Sequence, residues 1–392
     1  MRLSRFPLVF WALIAAALLN RVGTFVMPFL SFHLTKEHGF TPSQVGLVVS
    51  AFGVGLVSSG PVGGLLSDKI GYHRALPLTL LGGAAAMVQL GFAQTLPHLE
   101  VSAAVLGFFG ELYRPAMMSA IADLVDERDR TEAYGILYWA INVGFSIAAL
   151  TGGLLSEYGF SLLVGLDAAT TCAFAAIAFA AIRAPRRVST AEEKRSVSLL
   201  EPLRSAPYVV FVALGFLITA VFIQHGTSLP LDMQRHGLTA KTFGRLLAAN
   251  SIGVVLGQPI VNRLVRRMAW WRALSLSNLL AGVGFGLCAL VSTAWGYLGT
   301  ILVWTAGELF MSPIYPAVVS KVAPPHLRGV YQGILGLGIG VAVLVGPLAG
   351  AMALEHLGAQ ALWGGCLVVG LAAAIGNVIL GRLWRAGSKG SP

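Results

Sequence analysis

Twelve long apolar runs dominate this chain, at roughly residues 8–33, 43–66, 75–95, 99–122, 132–155, 160–182, 208–231, 242–261, 273–292, 295–320, 330–354 and 360–381. About 20 apolar residues carry an α-helix across the hydrocarbon of a bilayer. Inside that hydrocarbon every backbone N–H and C=O must be paired within the protein, which leaves helices or a closed barrel. Runs this long and continuous read as helices. The chain is 56% hydrophobic and 11% charged, against roughly 25% charged in a soluble domain. The first run follows Arg2 and Arg5, as a cleaved leader would. It outlasts the roughly 7–15-residue core of such a leader and holds Asn20 and Arg21, so cleavage is not expected.

The second constraint is an internal duplication. Gly110-Glu111-Leu112-Tyr113-Arg114-Pro115 places two charges midway along the fourth run, and Gly307-Glu308-Leu309-Phe310-Met311-Ser312-Pro313 repeats the placement in the tenth. Arg130 is answered by Arg328, Tyr134 by Tyr331, Gly135-Ile136-Leu137 by Gly333-Ile334-Leu335, Gly152 by Gly350 and Glu157 by Glu355, at an offset of 197 or 198 residues. His38-Gly39-Phe40-Thr41 and His236-Gly237-Leu238-Thr239 are a fainter echo. The expected domains are 1–183 and 208–392, two six-helix bundles joined by a polar linker, 184–207. Within the linker, 196–203 reads equally as a surface helix or a solvated strand of chain. Two homologous halves with a site between them at mid-membrane is a transporter plan.

Of the 27 Lys and Arg residues, 21 fall on the side that holds both termini, 4 on the other and 2 within runs. The positive-inside rule places the rich side in the cytoplasm. The net charge of +10 therefore serves topology, and no nucleic-acid partner is expected. Cys172, Cys288 and Cys366 lie in apolar runs without CxxC spacing and read as small buried hydrophobes. No metal site or cofactor is expected. No phosphate-cradling Gly-x-x-x-x-Gly-Lys loop is present, which argues against ATP drive.

After the second run the chain reads Gly64-Leu65-Leu66-Ser67-Asp68-Lys69-Ile70-Gly71-Tyr72-His73-Arg74. This resembles the signature of the major facilitator superfamily between its second and third helices, departing at Tyr72, where the family usually has a basic residue. The resemblance covers the whole chain and implies an all-α membrane protein, twelve transmembrane helices in two pseudo-symmetric six-helix bundles, acting as a transporter and not an enzyme. It also implies a conformational latch. Gly64 would allow close helix approach, and Gly71 the tight turn. Asp68 would meet the N-terminus of the eleventh helix near Gly329, where the dipole favours an anion. Lys69 and Arg74 keep the cationic character, and Asp123 would tie the turn down. The second half keeps a decayed copy, Asn262-Arg263-Leu264-Val265-Arg266-Arg267. In the fifth run, Ala148-Ala149-Leu150-Thr151-Gly152-Gly153 keeps the Gly-Gly end of the drug-efflux motif but not its Gly-Pro. Gly346-Pro347-Leu348-Ala349-Gly350 in the eleventh run is nearer the pattern. Small residues there mean close packing.

Charged residues in mid-bilayer cost about 2.5–3.5 kcal/mol each, so Arg21, Glu111, Arg114 and Glu308 each need an explanation. Glu111 and Arg114, spaced i,i+3, share a helix face and read as a structural ion pair or as functional groups. Pro115 favours a bend. Arg21 would share Glu111 or carry substrate charge. Glu308 has no sequence-local cation and reads as a proton or substrate-cation site, or as a partner of Arg21 or Arg114. Trp304-Thr305-Ala306-Gly307-Glu308 and Leu137-Tyr138-Trp139-Ala140-Ile141-Asn142 resemble proton-driven multidrug antiporters, although Leu137 stands where some members carry an acid. Asn20, Tyr138, Trp139, Asn142, Gln224, His225, Asn250 and Trp304 are further candidates for lining the substrate cavity. Asp167, Glu157, Asp232 and Glu355 fall near the outer ends of runs and are expected to be solvated.

The resulting expectation is a monomeric secondary transporter of a bacterial-type inner membrane, both termini cytoplasmic, exporting small amphipathic compounds against protons. The same fold moving an anionic metabolite or lipid-like anion on Arg21 and Arg114 is the alternative. A non-transporting sensor is disfavoured by the lack of a sizeable soluble domain.

Overall fold

A computed structural model describes residues 6–182, 201–324 and 327–388. Each of the twelve apolar runs is helical. Eight are continuous helices or nearly so: α3 (Pro42–Ile70), α4 (Tyr72–Gly91), α7 (Arg130–Leu155), α8 (Phe160–Ala181), α11 (Ala240–Val265), α12 (Trp270–Gly286), α15 (Arg328–His356) and α16 (Ala359–Ser388). The other four are broken in mid-run. These are the first, as α1 (Leu8–Val22) and α2 (Val26–His38), and the fourth, as α5 (Leu96–Leu112) and α6 (Arg114–Leu124). The seventh divides into α9 (Ala206–Phe222) and α10 (Ser228–Arg235), and the tenth into α13 (Ala294–Met311) and α14 (Ile314–Val322). The first and fourth runs of each half are thus the broken ones, which carries the duplication from sequence into shape.

Each break has a local cause. Gly23 ends α1, its N–H bonded to the carbonyls of Leu19 and Asn20. Tyr113 separates α5 from α6, and Pro115 falls in the first turn of α6, where its missing N–H costs nothing. The bend expected at Pro115 is therefore a break at Tyr113. Pro313 precedes α14 in the same manner. At the seventh run, Gln224 bridges the break. Its Nε2 donates to the carbonyls of Ala220 (2.9 Å) and Gly346 (2.8 Å), and its Oε1 accepts from Ser228 (2.6 Å).

The described chain forms two compact units. One holds the residues up to Ile182 together with Thr239–Ser251; the other holds the remainder. Linker residues 184–200, including most of the possible surface helix at 196–203, lie outside the described residues. Its described end is a single 3-10 turn, Glu201–Arg204. In the first unit α3 and α5 pack backbone to backbone: a Cβ on Gly55 would sit 1.9 Å from the Ala104 carbonyl oxygen, and one on Gly107 2.0 Å from that of Phe52. In the second unit Gly282 and Gly370 bring α12 and α16 together in the same way. Gly152 accommodates the Phe29 ring and Gly350 the Gln224 amide, so the small residues of the fifth and eleventh runs do mark close packing. Also in the first unit, the opening turns of α11 lie on α7, with Gly244 against Gly153 and Lys241 Nζ 3.1 Å from Glu157.

Three expectations are corrected. Gly64 makes no close approach among the described residues, since a Cβ there meets none of their atoms within 4 Å. The contact belongs to Gly63, whose Cβ would lie 2.8 Å from the Leu112 carbonyl oxygen. Cys288 and Cys366 are buried but Cys172 is exposed on α8. Asp167 and Asp232, expected in water, are each 1% exposed.

Candidate functional site

In the first unit, two helix breaks and one buried acid converge. Arg21 occupies the last turn of α1. Its Nη2 donates to the Tyr113 hydroxyl (2.5 Å) and lies 4.0 Å from Glu111 Oε1. Arg114 Nε lies 2.5 Å from Glu111 Oε2, so the one carboxylate is held between two guanidinium groups. The i,i+3 spacing of Glu111 and Arg114 survives the break because Tyr113 keeps αR geometry. The environments differ: the Arg21 and Glu111 side chains are 16% and 21% exposed, that of Arg114 57%. Gly144 on α7 leaves room for Arg21, since a Cβ there would come within 2.6 Å of the Arg21 Cβ.

Two cavities flank this cluster, and Tyr113 lines both. The larger, about 410 Å³, is walled by Ala17, Met117, Met118, Leu137, Tyr138 and Ile141, with Tyr134 and Arg114 its polar groups. The smaller, about 90 Å³, is lined by Asn20, Arg21, Glu111, Asp167 and Thr171, among others. Asn20 is buried there, its Nδ2 donating to Thr171 Oγ1 (2.8 Å). Asp167 reaches over from α8 to accept the N–H groups of Phe25 and Val26 (both 3.2 Å) on Oδ2, capping α2 from another helix. Asp167 was missed as a site residue, although it lies inside the apolar stretch Phe160-Ser161-Leu162-Leu163-Val164-Gly165-Leu166, Asp167, Ala168-Ala169, where burial was the signal to read.

The other candidates are distributed as follows. Tyr138 and Trp139 are exposed on α7, and only Tyr138 borders the larger cavity. Asn142 spends its amide on the Tyr138 carbonyl (2.8 Å). Asn250 is buried in the first unit. In the second unit Gln224 has both amide hydrogens committed to backbone carbonyls, and His225 Nδ1 lies 2.6 Å from the Phe222 carbonyl. Trp304 is buried and stacked on Phe285 at 5.3 Å, so it is packing as much as lining. Glu308 is partly buried on α13, just after Gly307, which is jammed against the Ser277 backbone of α12. Asp232 on α10 accepts from Tyr297 (2.8 Å) and from Trp363 Nε1 (2.9 Å). It ties the seventh run to the twelfth, as Asp167 ties the sixth to the first.

At the turn after α3, Gly71 adopts φ 79°, a conformation open to glycine. Asp68, Lys69 and Arg74 are exposed. Asp123 accepts a hydrogen bond from Tyr72, and burial together with that carboxylate pushes the Tyr72 hydroxyl up to about 12.

The matched family model is that of the Major Facilitator Superfamily, over residues 12–336. The chain belongs to that superfamily. Among its relatives are a Na(+), Li(+), K(+)/H(+) antiporter of Planococcus maritimus, 24% identical over 86% of this chain and 87% of that one. The multidrug resistance protein MdtH of Aeromonas salmonicida (strain A449) is also 24% identical, over 89% and 88%. Among solved structures, the in meso crystal structure of the POT family transporter PepTSo superposes with a TM-score of 0.82 over 97% of this chain and 99% of that one, at 13% identity. This major facilitator transporter is therefore an integral membrane protein of twelve transmembrane helices in two pseudo-symmetric bundles, and not an enzyme.

Proposed function

We propose that this transporter exports small amphipathic compounds in exchange for protons. The carrying observation is the Glu111 carboxylate, held by Arg21 and by Arg114, the latter lining an apolar cavity of about 410 Å³. The methionine and tyrosine walls suit flat or flexible apolar bodies, because thioethers and aromatic faces adapt to varied shapes. A proton on Glu111 weakens its hold on Arg114 and changes the charge presented to the cavity. A proton on Glu308 removes a charge from the second half in the same way. Either change lets the halves rock between alternating-access states. One proton moving down about 100 mV supplies about 2.3 kcal/mol. The relatives named as a multidrug resistance protein and a cation/proton antiporter support this reading. In the same reading both termini are cytoplasmic in an inner membrane, and Asp68, Lys69, Gly71, Arg74 and Asp123 form a cytoplasmic latch.

A second reading rests on one observation, the 57% exposure of Arg114 beside the apolar wall. It assigns the cavity to amphipathic anions. Everted vesicles carrying an imposed pH gradient separate the two. Under cation efflux, tetraphenylphosphonium dissipates the gradient in the wild type and not in Glu308→Gln, while Arg114→Ala still responds. Under anion transport an aromatic carboxylate does so instead, and Arg114→Ala is silent.

A further inference from the structure

The smaller cavity holds a feature that the Glu111 cluster does not use. Asp167 is 1% exposed. Its Oδ2 is occupied by the amides of Phe25 and Val26, but its Oδ1 has no hydrogen-bond partner among the described residues. Arg21 Nε, on the same cavity, is likewise buried and unpartnered. A buried carboxylate with one bare oxygen bears a desolvation cost that neutralisation removes. The cavity of about 90 Å³ has room for several water molecules, each needing about 10–15 Å³, so a proton has a medium through which to reach Oδ1.

We propose that Asp167 is a proton-binding residue of the first bundle and that its protonation governs the break between α1 and α2. The proposal rests on the proton-exchange reading and adds to it a carrier other than Glu111 or Glu308. In the ionised state the two amides at the positive end of the 13-residue α2 hold the carboxylate, and the Arg21 guanidinium on the same cavity wall favours its charge from a distance. A proton arriving from cavity water bonds to Oδ1, which becomes an O–H donor, and the net charge of the cavity rises by one. Oδ2 stays an acceptor, but a weaker one, so the cap on α2 loosens. Arg21, no longer facing a second negative charge on the cavity wall, is held more firmly by its existing partners Glu111 and Tyr113. Loss of the proton to water reverses each step. The signal reaches the larger cavity through Tyr113, which lines both and accepts from Arg21.

The surroundings of Asp167 have few competing groups. Arg21 from α1, Glu111 from α5 and Tyr113 are the titratable groups on the cavity wall. Arg114 stands behind Glu111, and His33 of α2 is stacked farther along on Phe160. α4 contributes Leu80, Gly83 and Met87, α3 contributes Phe52, and among the described residues none of the lining comes from α7.

The test needs no substrate. Infrared difference spectra of the purified, full-length protein in detergent, acid against alkaline buffer, report protonated carboxyl groups directly. The expected result is a protonated-carboxyl band that persists in Glu111→Gln and Glu308→Gln and is lost in Asp167→Asn. Asparagine keeps an acceptor for the Phe25 and Val26 amides, so that variant is expected to fold. Should it not, Asp167→Glu serves, and the band must then shift in position or in midpoint. A band unchanged in Asp167→Asn or Asp167→Glu, a band lost instead in Glu111→Gln, or no such band in the wild type overturns the proposal. A band assigned to Asp167 in a protein whose vesicles ignore both tetraphenylphosphonium and the aromatic carboxylate would leave the proton site standing and remove the efflux reading alone.

Discussion

Arg21 and Arg114 reach the same carboxylate, but burial separates what each contributes. Arg114 is 57% exposed, and an exposed pair contributes only about 0–1 kcal/mol. Arg21 is 16% exposed and also serves the Tyr113 hydroxyl. Removing one partner of a fully buried pair costs about 3–5 kcal/mol; the loss here falls below that, because Arg114 remains on Glu111. Thermal unfolding in detergent should therefore show Arg21→Ala clearly destabilised and Arg114→Ala close to wild type. Gln224 has a structural role at its helix break. Gln224→Leu takes a side-chain donor from the Ala220 and Gly346 carbonyls and leaves the buried Ser228 hydroxyl without its acceptor, and should cost about 1–3 kcal/mol in the same assay. At this scale the sequence displayed the Glu111–Arg114 pair through its spacing. It did not display Tyr113 as the link to Arg21, because that contact spans 92 positions.

Among the elements, glycine decides which helices touch. Gly55→Ala pushes a methyl group into the Ala104 carbonyl and can be relieved only by parting α3 from α5. A loss of about 1–3 kcal/mol is expected. Gly64→Ala meets nothing among the described residues and should be neutral or stabilise by about 0.5–1 kcal/mol through helix entropy. Comparing the two unfolding midpoints checks the reassignment of the close approach from Gly64 to Gly63 and Gly55. The Tyr72–Asp123 bond at the turn after α3 carries a pH signature. A tyrosine hydroxyl ordinarily ionises near 10, and here the folded value is about 12. The raised value means the fold favours the neutral phenol. This contribution is intact below about 10 and is lost as pH rises to about 12. Alkaline unfolding of Tyr72→Phe should lack that component.

For the whole molecule, the uneven spread of Lys and Arg, 21 residues on the side of the termini against 4 on the other, predicts topology. A green fluorescent protein fused after Pro392 should fluoresce, and a periplasmic phosphatase at the same point should be inactive. The opposite pattern would invert the assignment of the latch as cytoplasmic. The duplication has a further consequence at this scale. Each unit joins its first and last helices through one buried acid, but Asp167 is donated by the last helix and Asp232 by the first. The two bundles thus share an architecture and differ in how charge is placed within it.

The twelve runs, the two halves and the helical fold followed from the sequence alone, because a bilayer admits so few ways of pairing the backbone that long apolar stretches have one solution. The Gly-x-x-x-Asp-Lys-x-Gly turn and the paired glutamates were equally visible, since local spacing carries them. What tertiary structure decided is where the polar groups go. Gln224, a candidate ligand in the sequence, is spent on a helix break. Asp167, expected in water, is sealed beside Arg21 and caps a helix begun 141 residues earlier. Both outcomes depend on contacts between helices remote in sequence, and whether a polar side chain near the end of a run meets water or an orphaned backbone amide is fixed only when those helices pack.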